Sequence, residues 1–85
     1  MKGDRDKTIT FSIHEEDRDQ QRKAMLKAVY EALSERGYNP IDQIVEYILT
    51  EEPTYITNYK NARSMVRRID RYELLSAMLK EYLGL

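Results

Sequence analysis

The chain has 85 residues, which is room for one small domain because typical domains run to about 100–200 residues. Its 14 basic and 15 acidic residues nearly cancel, which argues against a general binder of nucleic acid or anionic membranes. It has one histidine and no cysteine, which excludes disulfides and cysteine-based metal centres. A domain this small buries a modest share of its surface, so we expect it to pair with a second copy.

The N-terminal region divides at residue 8. Residues 1–7 are polar and charged, with too little apolar surface to offset the entropy of ordering, so we predict a flexible tail there and a single domain over residues 8–85. Residues 8–13 alternate apolar side chains with hydroxyls, the period of a half-buried strand. A lone strand must pair with another, so residues 8–13 are predicted to form an extended arm or one short strand paired across a dimer.

Two amphipathic helices are predicted next. Asp17 and Gln20 form a capping pair at the start of the first, and Gly37 is its expected C-terminal stop. Asn39 and Pro40 supply a cap and a first-turn proline for the second helix, which Pro53 ends or redirects. Apolar residues of the second helix follow the i, i+3, i+4, i+7, i+8 pattern of one core-facing side: Ile41, Ile44, Val45, Ile48 and Leu49.

Tyr47 stands apart from that apolar side. At about 100° per residue it lies about 140° from the centre of the side. A tyrosine that points away from its own core is typical of an interface, so Tyr47 is a candidate dimer-interface residue. Single exposed aromatic residues are also ordinary, and a solvent-exposed ring is the alternative.

A basic stripe follows an acidic segment. Residues 38–57 hold four acidic residues and no basic one, whereas a third predicted helix has basic residues opposite its apolar side: Lys60, Arg63, Arg67 and Arg71. These four are candidates for binding phosphate or a partner, because arginine pairs with phosphate through two hydrogen bonds. A nucleic-acid-binding module that uses the basic helix over residues 60–71 is the alternative function, and a solvated outer face is the plainest explanation.

The last helix has more apolar surface than one neighbour would cover. Asp70 and Glu73 form its capping pair, and its apolar arc spans roughly half the circumference, wider than the ~100° stripe of an ordinary surface helix. Such a helix needs neighbours on two sides, and the second can belong to another chain. The dimer-interface candidates here are Leu75, Met78, Leu79, Tyr82 and Leu83.

Catalysis has no support in the sequence. The chain lacks a glycine-rich phosphate loop, a GxSxG elbow and an HExxH motif, and its one histidine, His14, has no partner at a useful spacing. We therefore predict a protein that is not an enzyme and has no catalytic residue, metal site or cofactor.

The segment over residues 37–71 carries a more specific pattern. It reads Gly37-Tyr38-Asn39-Pro40-Ile41, Gln43-Ile44-Val45, Tyr47, Pro53, Tyr55-Ile56, Tyr59 and Ala62-Arg63. This pattern resembles the IreB-type small regulatory phosphoproteins of Gram-positive bacteria. The resemblance implies a mostly helical homodimer without catalytic activity, a substrate of a membrane Ser/Thr kinase with extracellular PASTA repeats. It also implies a circuit that tunes envelope stress and β-lactam tolerance, with a kinase, a phosphatase and a downstream protein as partners.

One phosphorylation site carries over from the resemblance. Thr8, three residues before Phe11, matches the family's acceptor threonine. Arg5 stands where the characterised branch has a second threonine. Thr10 is an additional hydroxyl that would be a substitute acceptor.

These observations combine into one expectation. We predict an all-α fold of about four to five short helices with an N-terminal arm, forming a compact homodimer. No apolar run approaches the roughly 18 residues of a membrane span, and the basic start is not followed by an apolar h-region, so we expect a cytoplasmic protein without membrane contact. The function predicted is regulation as a kinase substrate. An inert subunit of a larger assembly is a further alternative.

Overall fold

The structure, a computed structural model, describes the backbone of residues 2–85 and the side chains of residues 17–85. Over that backbone it has four α-helices and two 3₁₀ turns, and no strand. The helices are α1 (Lys2–Glu35), α2 (Pro40–Thr50), α3 (Ala62–Arg67) and α4 (Arg71–Leu83), and the 3₁₀ turns are Pro53–Tyr55 and Tyr59–Asn61. The prediction of an all-α fold is confirmed.

The first helix is longer than its pattern predicted. Helix α1 has 34 residues, so Asp17 and Gln20 lie inside it and the capping pair predicted there is wrong. Residues 8–13 are also part of α1, and neither the extended arm nor the short strand is confirmed. A helix satisfies its backbone hydrogen bonds within one segment, whereas a lone strand cannot. The side chains at 8–13, like Met1 of the tail predicted at 1–7, lie outside the described residues, and the tail's mobility stays a prediction.

Gly37 ends α1 as predicted. Its φ is +84°, in the left-handed region that favours glycine. The Gly37 N–H donates to the Ser34 carbonyl and the Tyr38 N–H to the Leu33 carbonyl, each at 3.0 Å. This pair of bonds is the Schellman motif, which satisfies carbonyls at a helix end and turns the chain toward α2.

The cap predicted for α2 is also present. Asn39 has extended backbone angles, and its side-chain oxygen accepts a hydrogen bond from the Asp42 N–H at 3.2 Å. Pro40 occupies the first turn, where a missing N–H costs nothing. The start of α2 is therefore determined by local sequence.

We expect Asn39→Ala to lower the free energy of unfolding by about 0.5–2 kcal/mol, because the Asp42 N–H would lose its side-chain acceptor. Chemical denaturation monitored by circular dichroism would measure the change. The control is Asn58→Ala, because Asn58 precedes a 3₁₀ turn and its side chain makes no cap hydrogen bond. Equal losses in the two variants would contradict the capping role.

The hydrophobic core is formed where α1, α2, α3 and the connector between α2 and α3 meet. Its buried side chains are Val29, Ala32, Leu33, Ile44, Tyr47, Ile48, Ile56, Ala62, Val66, Ile69 and Leu74. Ile56, fully buried, brings the connector into this core. Two side-chain donors hold it there: Gln43 Nε2 donates to the Tyr55 carbonyl and Arg63 Nε to the Ile56 carbonyl, each at 2.8 Å.

Helix α4 joins the core through its first turn. Asp70 accepts from the Glu73 N–H at 3.0 Å, so Asp70 is confirmed as the N-cap, whereas the Glu73 carboxylate, the other half of the predicted pair, accepts from Arg22. Arg22 of α1 contacts Glu73 at 3.0 Å, and Arg71 contacts both the Ile48 carbonyl and Glu51. These contacts fix the beginning of α4 against α1 and α2.

Candidate protein-interaction surfaces

Helix α4 presents an apolar face to solvent. Its one buried side chain is Leu74. Its exposed apolar residues form the α4 stripe: Tyr72, Leu75, Met78, Leu79, Tyr82 and Leu83. Leu79 is 59% exposed and Tyr82 89% exposed. A stripe of this size is typical of a protein-interaction surface, and it contains all five dimer-interface candidates predicted on the last helix.

A groove runs between residues 18–26 of α1 and helix α4. It has a volume of about 1020 Å³ and is open to solvent. Leu26, Leu74, Met78 and Tyr82 are among its apolar lining residues, and Arg22 and Glu73 bridge its two walls. An apolar concave surface with paired charges suits a protein segment.

Tyr47, predicted as an interface residue, is instead part of the core. Its ring is 7% exposed and lies beside Ile44 and Ile48. The prediction failed because the connector and α1 pack on the side of α2 that carries Tyr47. The apolar pattern alone had centred the core on the side that carries Ile41 and Val45.

The side of α2 that the pattern assigned to the core is therefore split. Ile44 and Ile48 are buried, but three residues four positions apart are exposed, and we call them the α2 stripe: Ile41, Val45 and Leu49. A signal for this was present in the sequence. At about 100° per residue the apolar arc from Tyr47 to Leu49 spans about 200°, more than one core contact needs.

The basic stripe predicted over residues 60–71 is not one helix face. Lys60 lies in a 3₁₀ turn with φ +53°, Arg63 and Arg67 lie in α3, and Arg71 begins α4 after the Asp70 cap. Lys60 pairs with Glu35, while Arg63 and Arg71 bind carbonyl oxygens of the connector and α2. Arg67 alone of the four is exposed without an ion pair within residues 17–85. A nucleic-acid module based on one basic helix therefore loses its structural basis.

A small charged cluster holds the 3₁₀ turn at Tyr59 against the end of α1. Lys60 Nζ lies 3.1 Å from a Glu35 carboxylate oxygen. The guanidinium of Arg36 and the ammonium of Lys60 lie 5.1 and 5.4 Å from the Tyr59 ring centre, within the range of cation–π attraction. The hydrogen bond from Lys60 lowers the pKa of Glu35, with a smaller contribution from Tyr59, and the same bond raises the pKa of Lys60.

We expect Lys60→Met to raise the pKa of Glu35 toward its ordinary value of 4.5. Because the pKa of Glu35 is lowered, its pairing with Lys60 stabilises the fold above pH 4.5, and this stabilisation is lost as the pH falls through the folded-state pKa of Glu35. Because the pKa of Lys60 is raised, its contribution is fully present below pH 10.5 and is lost as the pH rises through the folded-state pKa of Lys60. Carboxyl NMR titration would measure the pKa. The control is Lys27→Met, which lies about two helical turns before Glu35 in α1 and should leave the pKa of Glu35 unchanged. If Lys60→Met also left the pKa of Glu35 unchanged, the pairing would be contradicted.

The candidate phosphorylation sites, Thr8 and Thr10, lie in α1 at positions whose side chains are outside the described residues. Among the residues that are described, no group of three histidine or acidic side chains could hold a metal ion. Over the same part of the chain, no helix combines the length and the apolar character of a membrane span.

Comparison with known proteins assigns the chain. The family described as IreB regulatory phosphoprotein matches residues 6–84. The chain belongs to the IreB family. A UPF0297 protein of Ruminiclostridium cellulolyticum is 55% identical to it over 76 residues, which are 89% of this chain and 85% of that protein. The resemblance noted in the sequence is confirmed, and the family is described as one of regulatory phosphoproteins.

Proposed function

We propose that the protein is a non-catalytic cytoplasmic regulator that works as a homodimer and is phosphorylated at Thr8 by a Ser/Thr kinase in envelope-stress and antibiotic-tolerance signalling. A phosphatase and a downstream protein complete the proposed circuit. The observation that carries the proposal is the α4 stripe, since an exposed apolar helix face is costly unless another protein covers it. The description of the family as a regulatory phosphoprotein supports the rest.

The arrangement of the α4 stripe suits a symmetric dimer. Tyr72, Leu75, Leu79 and Tyr82 follow one another at spacings of three and four residues, which places them on one side of the helix. In a two-fold dimer the same patch contacts itself, so two α4 helices would bury both stripes together. The groove beside α4 gives the partner helix a second apolar wall.

Analytical ultracentrifugation of the full chain tests the dimer. At micromolar concentration the wild type should sediment at about twice its 10.1 kDa chain mass. Leu79→Glu should sediment as a monomer, because a carboxylate cannot be buried unpaired in an apolar interface. The matched control is Leu49→Glu, the same substitution on the α2 stripe, which should leave the dimer intact. A wild type that stays monomeric would contradict the proposal.

Phosphorylation would add about −1.5 to −2 charges at Thr8. The continuous helix α1 separates Thr8 by about 30 Å from Val29, which packs in the core with α3, so the receiver is proposed to lie across the dimer. It is the exposed guanidinium of Arg67, which has no ion pair within the described side chains, whereas Arg63 and Arg71, the other arginines considered, are already engaged. A phosphate and a guanidinium form strong charge-assisted hydrogen bonds.

Intact-mass spectrometry after incubation with a Ser/Thr kinase from the same organism tests the proposed phosphorylation of Thr8. The wild type should gain the mass of one phosphate, Thr8→Ala should gain none, and the matched variant Thr10→Ala should behave as the wild type. Wild-type protein that gains no mass would overturn the phosphoprotein proposal without touching the dimer. If the gain of phosphate mass were lost in Thr10→Ala and kept in Thr8→Ala, the phosphorylated residue would be Thr10, and the assignment to Thr8 would be overturned.

A further inference from the structure

The α2 stripe is a second exposed apolar surface, on a different helix from the α4 stripe. Ile41 is 58% exposed, Val45 45% and Leu49 73%. Their spacing of four residues puts them along one side of α2, over a length of about 12 Å. The opposite side of the helix is fixed in the core, so the stripe cannot turn inward. Surface leucines and isoleucines occur singly in most proteins, but three in a row form a continuous patch.

Acidic side chains border this stripe. Asp42 and Glu46 each follow a stripe residue by one position, which places both about 100° away on the same side of it. Neither carboxylate forms an ion pair with any side chain in residues 17–85, and residues 38–57 contain no basic residue. The patch therefore has an apolar centre and a negative edge without a compensating charge.

The negative edge decides between two occupants. If a second copy placed its own α2 antiparallel on the stripe, the two-fold symmetry would bring the acidic edges together, and like charges at an interface are unfavourable. A parallel pair of α2 helices would separate the two edges but would give neither of them a basic partner, because residues 38–57 contain none. A segment with apolar residues and a basic flank would match the surface in both respects. Helices bind such surfaces through apolar residues at i, i+3 or i+4, and i+7.

We infer that the α2 stripe is a docking site for an amphipathic helix with a basic flank, contributed by a different protein. About two helical turns of this partner would cover the distance from Ile41 to Leu49. Its lysine or arginine side chains would lie against Asp42 and Glu46. This surface lies on a different helix from Leu79 and Tyr82 of the α4 stripe, so the regulator would bind this partner while it is dimeric.

Two synthetic peptides of roughly 20 residues, above the length of about 12–15 residues below which an isolated helix is marginal, are the probes. Both carry the same leucine and alanine face; one has a lysine flank and the other a glutamate flank. Fluorescence anisotropy with the full-length protein should show binding of the lysine peptide that weakens with salt, and about tenfold weaker binding of the glutamate peptide. The amide NMR shifts caused by the lysine peptide should be centred on α2.

Three variants localise the binding. Leu49→Glu should weaken binding of the lysine peptide by about tenfold or more, since an apolar anchor is lost. The matched control on α4, Leu79→Glu, should bind the lysine peptide within about twofold of wild type. The double variant Asp42→Asn, Glu46→Gln should bind both peptides with similar affinity, because the surface would no longer distinguish their charges.

Any of four results would overturn the inference. They are no binding of the lysine peptide, equal affinity of the wild type for the two peptides, NMR shifts centred on α4, and unchanged binding by Leu49→Glu. Dissociation of the wild-type dimer by Leu49→Glu would also overturn it, because the stripe would then be covered by a second copy. All substituted side chains are exposed, and circular dichroism would verify that each variant is folded.

Discussion

Replacing Leu33 with alanine is expected to lower the free energy of unfolding by about 2–5 kcal/mol. Leu33 is fully buried among side chains of α1, α2 and α3, so the substitution removes apolar contacts and leaves a cavity. The loss is a large part of the total, because small domains are stable by only about 5–15 kcal/mol. Urea denaturation monitored by circular dichroism would measure it.

The same substitution on the surface is the control for Leu33→Ala. Leu49 belongs to α2 and is 73% exposed, so Leu49→Ala should change the free energy of unfolding by at most about 0.5 kcal/mol. Both variants should be compared at one protein concentration, since dimerisation adds concentration-dependent stability. If Leu49→Ala were as destabilising as Leu33→Ala, the side of α2 that faces the core would be wrongly assigned.

Tyr47→Ala is expected to cost about 3–5 kcal/mol of unfolding free energy, as for other large aromatic side chains removed from a core. The expected result distinguishes the two roles considered for this residue. A core residue lowers stability when truncated, whereas an interface residue raises the dissociation constant of the dimer and leaves the folded monomer intact. The measurement is urea denaturation in the Leu79→Glu background, where the proposed dimer does not contribute.

Tyr82→Ala removes the same ring from the end of α4, where it is 89% exposed. In the Leu79→Glu background we expect Tyr82→Ala to change the free energy of unfolding by at most about 0.5 kcal/mol. In the otherwise wild-type chain it should weaken the dimer, which sedimentation at several concentrations would detect. If Tyr47→Ala left the unfolding free energy unchanged, its place in the core would be contradicted.

Local signals in the sequence determined the ends of the helices with strong caps. Asn39 with Pro40, Gly37, and Asp70 with Glu73 act on backbone groups within a few residues of themselves, so their effect does not depend on the rest of the fold. The pair Asp17 and Gln20 was a misleading signal of this kind, because α1 continues through it. Alternation over residues 8–13 favoured an extended arm, yet a strand needs a partner that the chain itself does not supply.

Local pattern also anticipated the exposed apolar face of α4. Its wide arc showed that one neighbour would not cover it, whatever that neighbour was. The apolar arc of α2 is also wide enough for two neighbours. Its residues from Ile41 to Leu49 fit the spacing of a single core-facing side, however, and Tyr47 does not belong to that spacing.

Sequence alone thus determined the helical class, the capped helix ends, the family and the presence of surplus apolar surface on α4, because these follow from near neighbours along the chain. Tertiary structure decided which side of α2 is buried, since Ile56 and α1 pack on the side that carries Tyr47. It also divided the four residues of the predicted basic stripe among three elements and engaged three of them in contacts. Such contacts join residues distant in sequence, and periodicity carries no information about them.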